Sequence, residues 1–325
     1  MYVQAVYYPQ TASGEVVPVT LKEGAGLDEI SQELESKGLI SQPLFLKVYA
    51  KLSGVGSHLQ AGKFDIPSQI SIKELLRRLG VATREQASLR FTEGLRREED
   101  ADYISSVSND LKLTSLSGAS FSSLAKDPSM DLRQQLGERL PAEASLQGFL
   151  FPDTYLINID DSAQKLLMRM LDNYKMKVTS SLQASFTAQG LKEYEALTLA
   201  SLVEREGRGE KERPVIAGIL LKRFKAGIPL GVDATLQYAL GYSESEKRWW
   251  REGITVQDLA LESPYNTRKV VGLPPRPICN PGLGAIEAVA KPVASPYLYY
   301  LHGKDRQIHY AKTPAEHEAN IARYL

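Results

Sequence analysis

The sequence predicts an α+β fold, from three observations along the chain. Short strands and helices alternate in residues 17–86, helical periodicity dominates residues 162–226, and two aromatic-rich strands near the end flank the turn at Gly303. We therefore expect a small α/β module, followed by a mixed α+β domain with a helical centre and a C-terminal hairpin.

The first region, residues 17–86, is predicted to be one α/β module. Its predicted elements are strands at 17–21 and 61–66 and helices at 27–37, 43–52 and 71–79. Gly38 ends the first helix, and Ser71 with Glu74 has the pattern of a capping box at the start of the third. Residues 1–16 are interpreted as a separate leader that begins in strand-like sequence.

A second strand–turn–helix begins at Leu89, and its turn, Glu93-Gly94, repeats the earlier Glu23-Gly24. Two copies are a weak repeat, far short of a solenoid. Polar, irregular helices follow, and then a loop rich in aromatic residues at 147–155. We interpret residues 87–158 as a second α/β segment that bridges to the last domain.

Residues 159–325 are predicted to form the main domain. Its predicted elements are helices at 162–188, 191–206, 213–226 and 285–290, hairpin strands at 297–301 and 307–311, and a final helix at 313–325. In the final helix Thr313 is the N-cap, Pro314 the first helical residue and Glu316 the third.

Composition excludes several classes of function. The 325 residues carry 39 Lys and Arg against 39 Asp and Glu, so no charge excess favours nucleic acid. The single cysteine, Cys279, excludes an internal disulfide, and the four histidines lack metal-type spacing. We expect no metal and no cofactor. No apolar run of 18 residues and no signal peptide is visible.

Segment 197–207 is an apolar helix that ends in two carboxylates and a glycine. Its apolar stripe consists of Leu199, Leu202 and Val203. Glu206 continues this stripe at helical spacing. A carboxylate there is costly when charged and unpaired, so a raised pKa would make it a general acid. The alternative is a helix end whose glutamates face solvent near Arg205 and Arg208.

Three stiff, polar loops follow this helix. They are residues 233–235, 263–267 and 272–282, the last with four prolines. Rigid loops hold side chains at low entropic cost, which suits a binding cleft. Any one of them taken singly is equally typical of a structural strap.

Together these segments resemble the endolytic murein transglycosylases of the MltG (YceG-like) type. The matching stretches are 93–94, 148–155, 199–206, 233–235, 263–267, 272–275, 280–282, 296–299 and 309–310. They occur in the family's order over nearly the whole chain. The pair Ala-Ser-Leu-Val-Glu-x-Glu and Gly-Leu-Pro-Pro-x-Pro-Ile is specific to this family.

The resemblance implies cleavage of peptidoglycan glycan strands between N-acetylmuramic acid and N-acetylglucosamine. It places the catalytic glutamate at Glu206, which would act as acid and then as base while the sugar's own C6 hydroxyl forms a 1,6-anhydro end. One such residue suffices, unlike the two carboxylates of ordinary glycosidases. Glu204 is the second candidate, or else a helix-end partner of Arg208.

Sugar rings pack on aromatic side chains, and their hydroxyls bind amides and carboxylates. The residues predicted on this basis to bind substrate are Asp233, Gln237, Tyr265, Asn266, Tyr299 and Tyr310. The turn at 263–267 would fix two of them. The pair Trp249-Trp250 fits the same role, and equally fits a surface cover or an element near a membrane.

The resemblance also implies that residues 17–86 are LysM-like and that a single membrane anchor precedes Met1. The protein would then act at the outer face of the cytoplasmic membrane, with glycan strands as substrate and cell-wall synthases (penicillin-binding proteins) as partners. Two residues depart from the family's pattern: Gln147, where Glu is frequent, and Val232, where a polar residue is frequent. Both bear on the fine substrate contacts.

Two other functions fit the same sequence. A non-catalytic peptidoglycan-binding protein would bind strands without making new anhydro ends, and it would not need an acid on the apolar stripe. A scaffold for cell-wall synthases would need neither Glu206 nor the Tyr265-Asn266 turn, and it is compatible with enzyme activity.

Overall fold

The computed structural model describes residues 6–9, 14–80 and 86–325, and the chain divides into two compact units, 1–86 and 87–325. The predicted α+β class is confirmed, since the described residues form many helices and three two-stranded sheets. The four-part division predicted from the sequence stays a prediction. Among the residues described, no helix has both the length and the apolar character that crossing a membrane requires.

Unit 1 packs three helices on one antiparallel pair of strands. Its elements are β1 (Val16–Leu21), α1 (Leu27–Ser36), α2 (Pro43–Ser53), a 3₁₀ turn (Val55–His58), β2 (Gly62–Pro67) and α3 (Ile72–Leu79). The register pairs Val16 with Pro67 and Leu21 with Gly62. Alternate strand residues, such as Val19 and Phe64, are buried beneath the helices.

Two predictions in unit 1 need correction. The Glu74 amide donates to Ser71 Oγ at 3.3 Å, but the Glu74 carboxylate binds Arg77 and Arg78 and does not return to the cap, so only half of the capping box forms. The strand expected near Met1 is wrong at residues 6 and 7, which are helical. Residues 1–5 and 10–13 of that predicted segment lie outside the described residues.

Unit 2 is a helical core with two small sheets. Its elements are β3 (Gln86–Arg90), α4 (Arg97–Val107), α5 (Gly118–Lys126), α6 (Met130–Leu136), β4 (Thr154–Asn158), α7 (Ala163–Lys177), α8 (Ser180–Ala188), α9 (Glu193–Glu206), α10 (Arg213–Lys225), α11 (Asp233–Leu240), α12 (Val256–Leu259), α13 (Leu283–Ala290), β5 (Tyr299–His302), β6 (Ile308–Ala311) and α14 (Pro314–Tyr324). β3 lies beside β4, and β5 pairs antiparallel with β6 as the predicted hairpin.

The long helix predicted at 162–188 is wrong, because the structure has two helices there. The break falls at Val178 and Thr179, two β-branched residues that leave the helical conformation, with Thr179 as the extended cap of α8. Strand β4 was not predicted either, since its residues follow directly on an aromatic loop. The repeat is confirmed locally: in both copies a helix begins three residues after the turn glycine, at Leu27 and at Arg97.

Helix α9 is the centre of unit 2, with α10 and α13 packed against it. Every residue from 196 to 203 is buried. The proline-rich loop 272–282 is tied to this helix, because the Ile278 amide donates to Ser201 Oγ at 3.0 Å. The end of α9, with its two glutamates, is therefore held at a fixed place.

Substitution of Gly148 is expected to destabilise unit 2. Its φ is +93°, and a Cβ there would lie 2.6 Å from Pro277 Cγ and 3.1 Å from Leu197. Gly148→Ala should therefore lower the free energy of unfolding by about 2 kcal/mol or more through combined strain and overpacking. Urea unfolding followed by circular dichroism measures this loss.

Gly190→Ala is the matched control, since its φ is +74° and no atom lies within 4 Å of the added Cβ. It should lower the free energy of unfolding by only about 1 kcal/mol, which is the cost of holding an alanine in the left-handed conformation. Equal losses in the two variants would show that the close approach to Pro277 is not what constrains Gly148.

Candidate active site

A cleft of about 500 Å³ opens at the end of α9. Its polar lining consists of Glu206, Arg223, Asp233, Arg268, Tyr299, Tyr300, His302 and His317. Leu230, Leu301, Ile321 and Leu325 supply the apolar part. The cleft therefore collects side chains from α9, α10, the start of α11, the hairpin and α14.

Glu206 is the last residue of α9 and lies half-buried in this cleft. Burial raises its pKa to about 7, and the charge of Asp233 acts in the same direction. Tyr300 Oη donates to Glu206 Oε2 at 3.0 Å, which together with Arg205 and Arg268 limits the rise. A carboxyl that titrates near neutral pH can both give and take a proton.

Glu204, two residues earlier, does not fit this acid–base role, because its carboxylate is already bound by other groups of the protein. Its carboxylate accepts from Arg213 Nη2 at 2.6 Å and from the Gly282 amide at 3.0 Å, and its side chain is only 5% exposed. The partner expected from sequence, Arg208, is wrong, because the pairing residue is Arg213. Glu204 joins α9 to α10 and to the start of α13.

Two of the motif loops are joined directly behind the cleft. Thr267 Oγ1 accepts from the Val232 amide at 3.0 Å and lies 2.9 Å from Thr235 Oγ1. The adjoining residues then meet: Arg268 Nε donates to Asp233 Oδ1 at 2.7 Å. The loops at 231–235 and 263–268 thus present one ion pair to the cleft.

The structure brings some predicted site residues together and separates others. Tyr299 and Asp233 line the cleft with Glu206. Gln237, Tyr265, Asn266 and Tyr310 do not line it. Gln237 donates to the Arg251 carbonyl, Tyr265 packs 4.9 Å from the Tyr238 ring, and Tyr310 stacks 5.1 Å from Tyr297. The substrate-binding roles of all six residues stay predictions.

Asn266 is fully buried, and its side chain is used within the turn. Its Nδ2 donates to the carbonyls of Leu259 and Leu261 at 3.1 and 2.9 Å, while its Oδ1 accepts from the Arg268 amide at 3.2 Å. Asn266 thereby fixes the backbone that carries Arg268 into the cleft.

Sequence reasoning missed five of the polar lining residues. They are Arg223, Arg268, Tyr300, His302 and His317. Two of them could have been found from the sequence, because Arg268 follows the 263–267 motif directly and Tyr300 follows Tyr299 in the hairpin. His302 pairs with Glu212 at 3.0 Å, a contact over 90 residues of sequence that no local pattern signals.

The tryptophan pair covers two arginines. The Arg96 guanidinium lies 4.6 Å from the Trp249 ring centroid and 5.7 Å from that of Trp250, and Arg205 lies 3.8 Å from Trp250. The Trp250 indole N–H donates to Glu99 at 2.8 Å. The two rings therefore lie against charged side chains, and the three roles considered for the pair stay predictions.

The two departures from the family's pattern lie outside the cleft lining. Gln147 is buried, and its amide donates to Pro277 O at 2.7 Å and to Tyr238 Oη at 2.9 Å. Val232 is buried before α11. In the part of the chain that the structure describes, no group of three His, Cys, Asp or Glu side chains could hold a metal ion.

Removal of the Tyr300 hydroxyl is expected to raise the pKa of Glu206 further. The hydroxyl stabilises the carboxylate form, and Tyr300→Phe removes this donor while keeping the ring. The pH at which the Glu206 carboxyl ionises should therefore move above about 7. Carbon-13 NMR of labelled glutamate, titrated from acid to alkaline pH, measures the shift.

Tyr297→Phe is the matched control, because Tyr297 lies at the same hairpin but does not line the cleft. It should leave the titration of Glu206 where it is in the unaltered protein. A fall in the pKa with Tyr300→Phe would contradict the assigned hydrogen bond.

Comparison with known proteins places this geometry in a family. The model of the YceG-like family matches residues 19–323. A protein of Streptococcus pneumoniae named endolytic murein transglycosylase is 29% identical over 96% of this chain and 59% of its own length. One of Bacillus subtilis with the same name is 26% identical over 96% of this chain and 86% of its own.

A solved structure agrees with the fold. The crystal structure of a yceG-like protein from Listeria monocytogenes superposes with a TM-score of 0.60 at 27% identity, covering 94% of this chain and 99% of that one. The chain spans 59% of the length of the Streptococcus pneumoniae relative.

Proposed function

Because this chain belongs to the YceG-like family, we propose that it is an endolytic murein transglycosylase that cleaves the glycan strands of peptidoglycan. The observation that carries the proposal is Glu206, a half-buried carboxyl with a pKa of about 7 in a cleft of about 500 Å³. The name shared by the Streptococcus pneumoniae and Bacillus subtilis relatives supports it.

In the proposed reaction, Glu206 protonates the oxygen that links N-acetylmuramic acid to N-acetylglucosamine. The bond from C1 to this oxygen breaks, and positive charge develops at C1 and the ring oxygen. The C6 hydroxyl of the same sugar attacks C1 and gives its proton to the Glu206 carboxylate. The acid is regenerated, no water is consumed, and a 1,6-anhydro end remains.

The remaining cleft residues have supporting roles in this proposal. Tyr300 holds the Glu206 carboxyl through its hydroxyl. Asp233 and Tyr299 contact the sugar, since both line the cleft. Asn266 acts one step away, by fixing the backbone of Arg268. This assignment moves Asn266 from substrate contact, as expected from sequence, to positioning.

The wider role follows from the substrate. We propose that unit 1, as a LysM-like module, increases affinity for the polymer, and that the protein works at the outer face of the cytoplasmic membrane. There it would end growing glycan strands beside the cell-wall synthases. A fragment of residues 87–325 should then cleave short glycans but lose affinity for long strands.

Mass spectrometry of peptidoglycan digested with the protein tests the reaction. Anhydromuramyl ends within the strands support the proposal, while reducing ends would make the protein a hydrolase. Binding of strands without any new ends would favour the non-catalytic peptidoglycan-binding protein.

A further inference from the structure

Arg223 is a cation in the cleft that has no carboxylate partner among the described residues. It belongs to α10, is half-buried, and lines the cleft. Its Nε and Nη2 donate to the Pro229 carbonyl at 3.0 and 2.5 Å, and its Nη1 to the Leu298 carbonyl at 3.3 Å. No salt bridge joins Arg223 to any carboxylate of residues 14–80 and 86–325.

The acids of the cleft are engaged elsewhere. Asp233 is bound by Arg268, and Glu206 accepts from Tyr300; Glu212, which does not line the cleft, pairs with His302. A guanidinium has five N–H groups in a planar fork that fits a carboxylate. Three of those of Arg223 donate to carbonyls, and two are left without an acceptor from the described chain.

A second arginine and a histidine lie near Arg223. Burial and the nearby Arg268 both lower the pKa of Arg223. Burial, with Arg223 and Arg268, also lowers the pKa of His317, which lines the same cleft and stacks 5.2 Å from the Tyr299 ring. The guanidinium lies 5.2 Å from the Tyr299 ring centroid, a contact that compensates its charge only in part. A half-buried cation without a carboxylate partner is costly, and an anion carried by a ligand would offset that cost.

We propose that Arg223 forms a carboxylate subsite, which binds the acidic group carried by the muramic acid residue of the substrate. This inference rests on the proposed function, which brings muramic acid into the cleft. The acid has two sources, the lactyl carboxylate of a strand without peptides or a carboxylate of an attached stem peptide. Both present the same chemistry to the guanidinium.

Binding to the unaltered protein tests the subsite without any cleavage. Calorimetry with N-acetylmuramic acid and with its methyl ester probes the lactyl source. Muramyl dipeptide, whose lactyl carboxyl is in an amide bond, and its methyl ester probe the peptide source. In at least one pair the acid should bind about tenfold tighter or more, as expected for a charge-assisted hydrogen bond. Equal binding within both pairs overturns the proposal.

Variants assign the effect to Arg223. Arg223→Met should reduce the ratio of acid to ester affinity towards one. Arg223→Lys keeps the charge and a donor but not the fork, so it should give an intermediate ratio, and it serves where Arg223→Met does not fold. The assignment is overturned if Arg223→Lys keeps the same ratio of acid to ester affinity as the unaltered protein. It is also overturned if Arg268→Gln loses this ratio while Arg223→Met keeps it.

The two proposals fail in different ways. Where digestion yields no new strand ends, the transglycosylase proposal fails, and the acid–ester ratio still decides the subsite. Where digestion yields anhydro ends but acid and ester bind equally well, only the proposal of the carboxylate subsite fails. Where both proposals hold, strands whose carboxyls have been converted to methylamides should show a raised KM with the unaltered protein.

Discussion

Glu206→Gln is expected to abolish the formation of anhydro ends while leaving the fold intact. The amide occupies the same space and can still accept from Tyr300, but it cannot give or take a proton. General acid–base catalysis contributes about 10²–10⁴-fold, so the rate should fall at least that far. Mass spectrometry of digested strands measures the loss, and circular dichroism checks the fold.

Glu204→Gln is the matched control, one substitution of the same kind two residues away. Because Glu204 is bound by Arg213 and the Gly282 amide, its loss should lower stability and not the rate per folded molecule. An active Glu206→Gln together with an inactive, folded Glu204→Gln would exchange the two assignments.

The assignment of Glu206 as the acid also predicts how activity and stability depend on pH. Activity of the unaltered protein should fall as pH rises through about 7, since only the protonated Glu206 is the acid. The folded state also binds this proton more tightly than the unfolded state, whose pKa is near 4.5. The unaltered protein should therefore lose stability relative to Glu206→Gln between pH 4.5 and 7. A constant difference would contradict the raised pKa.

The sequence pattern led to Glu206 through an argument that the structure shows to be incomplete. The apolar stripe through Leu199, Leu202 and Val203 is buried, but so is the opposite face, which leads to Glu204. Helical periodicity alone could not separate the two carboxylates. What separates them is Arg213, nine residues along the chain from Glu204, which no spacing rule assigns.

The polar loops that follow α9 show a similar limit of prediction from sequence. Their stiffness and polarity were visible in sequence, and the structure adds that two of them meet through the ion pair of Asp233 and Arg268. Which side chains face the cleft could not be predicted, because that depends on hydrogen bonds inside each loop. Asn266, a polar residue in a polar turn, is fully buried for this reason.

The elements were predicted best where local signals are strong. The hairpin at 299–311 and the helix after Thr313 have turn and cap residues in the expected places. The break at Val178 and strand β4 depend instead on packing within unit 2, which a local pattern does not contain. Tyr300 reaches Glu206 across 94 residues for the same reason.

Arg213→Met is expected to cause the largest loss of stability, by leaving the Glu204 carboxylate buried with only the Gly282 amide as partner. Removing one member of a buried pair costs about 3–5 kcal/mol, and the 16% exposure of Arg213 favours the lower end. Its second contact, with Glu93 at 3.5 Å, adds little because Glu93 is 48% exposed. Urea unfolding measures the loss.

The double variant Glu204→Gln with Arg213→Met provides the control, because it removes the stranded charge and keeps an acceptor for the Gly282 amide. It should recover at least half of the stability lost in Arg213→Met. Without Arg213, burial raises the pKa of Glu204 further above its usual value of 4.5, so the loss in Arg213→Met should grow as the pH rises above 4.5. A loss that is independent of pH, with no recovery in the double variant, would show that Arg213 acts through packing and not through the charge of Glu204.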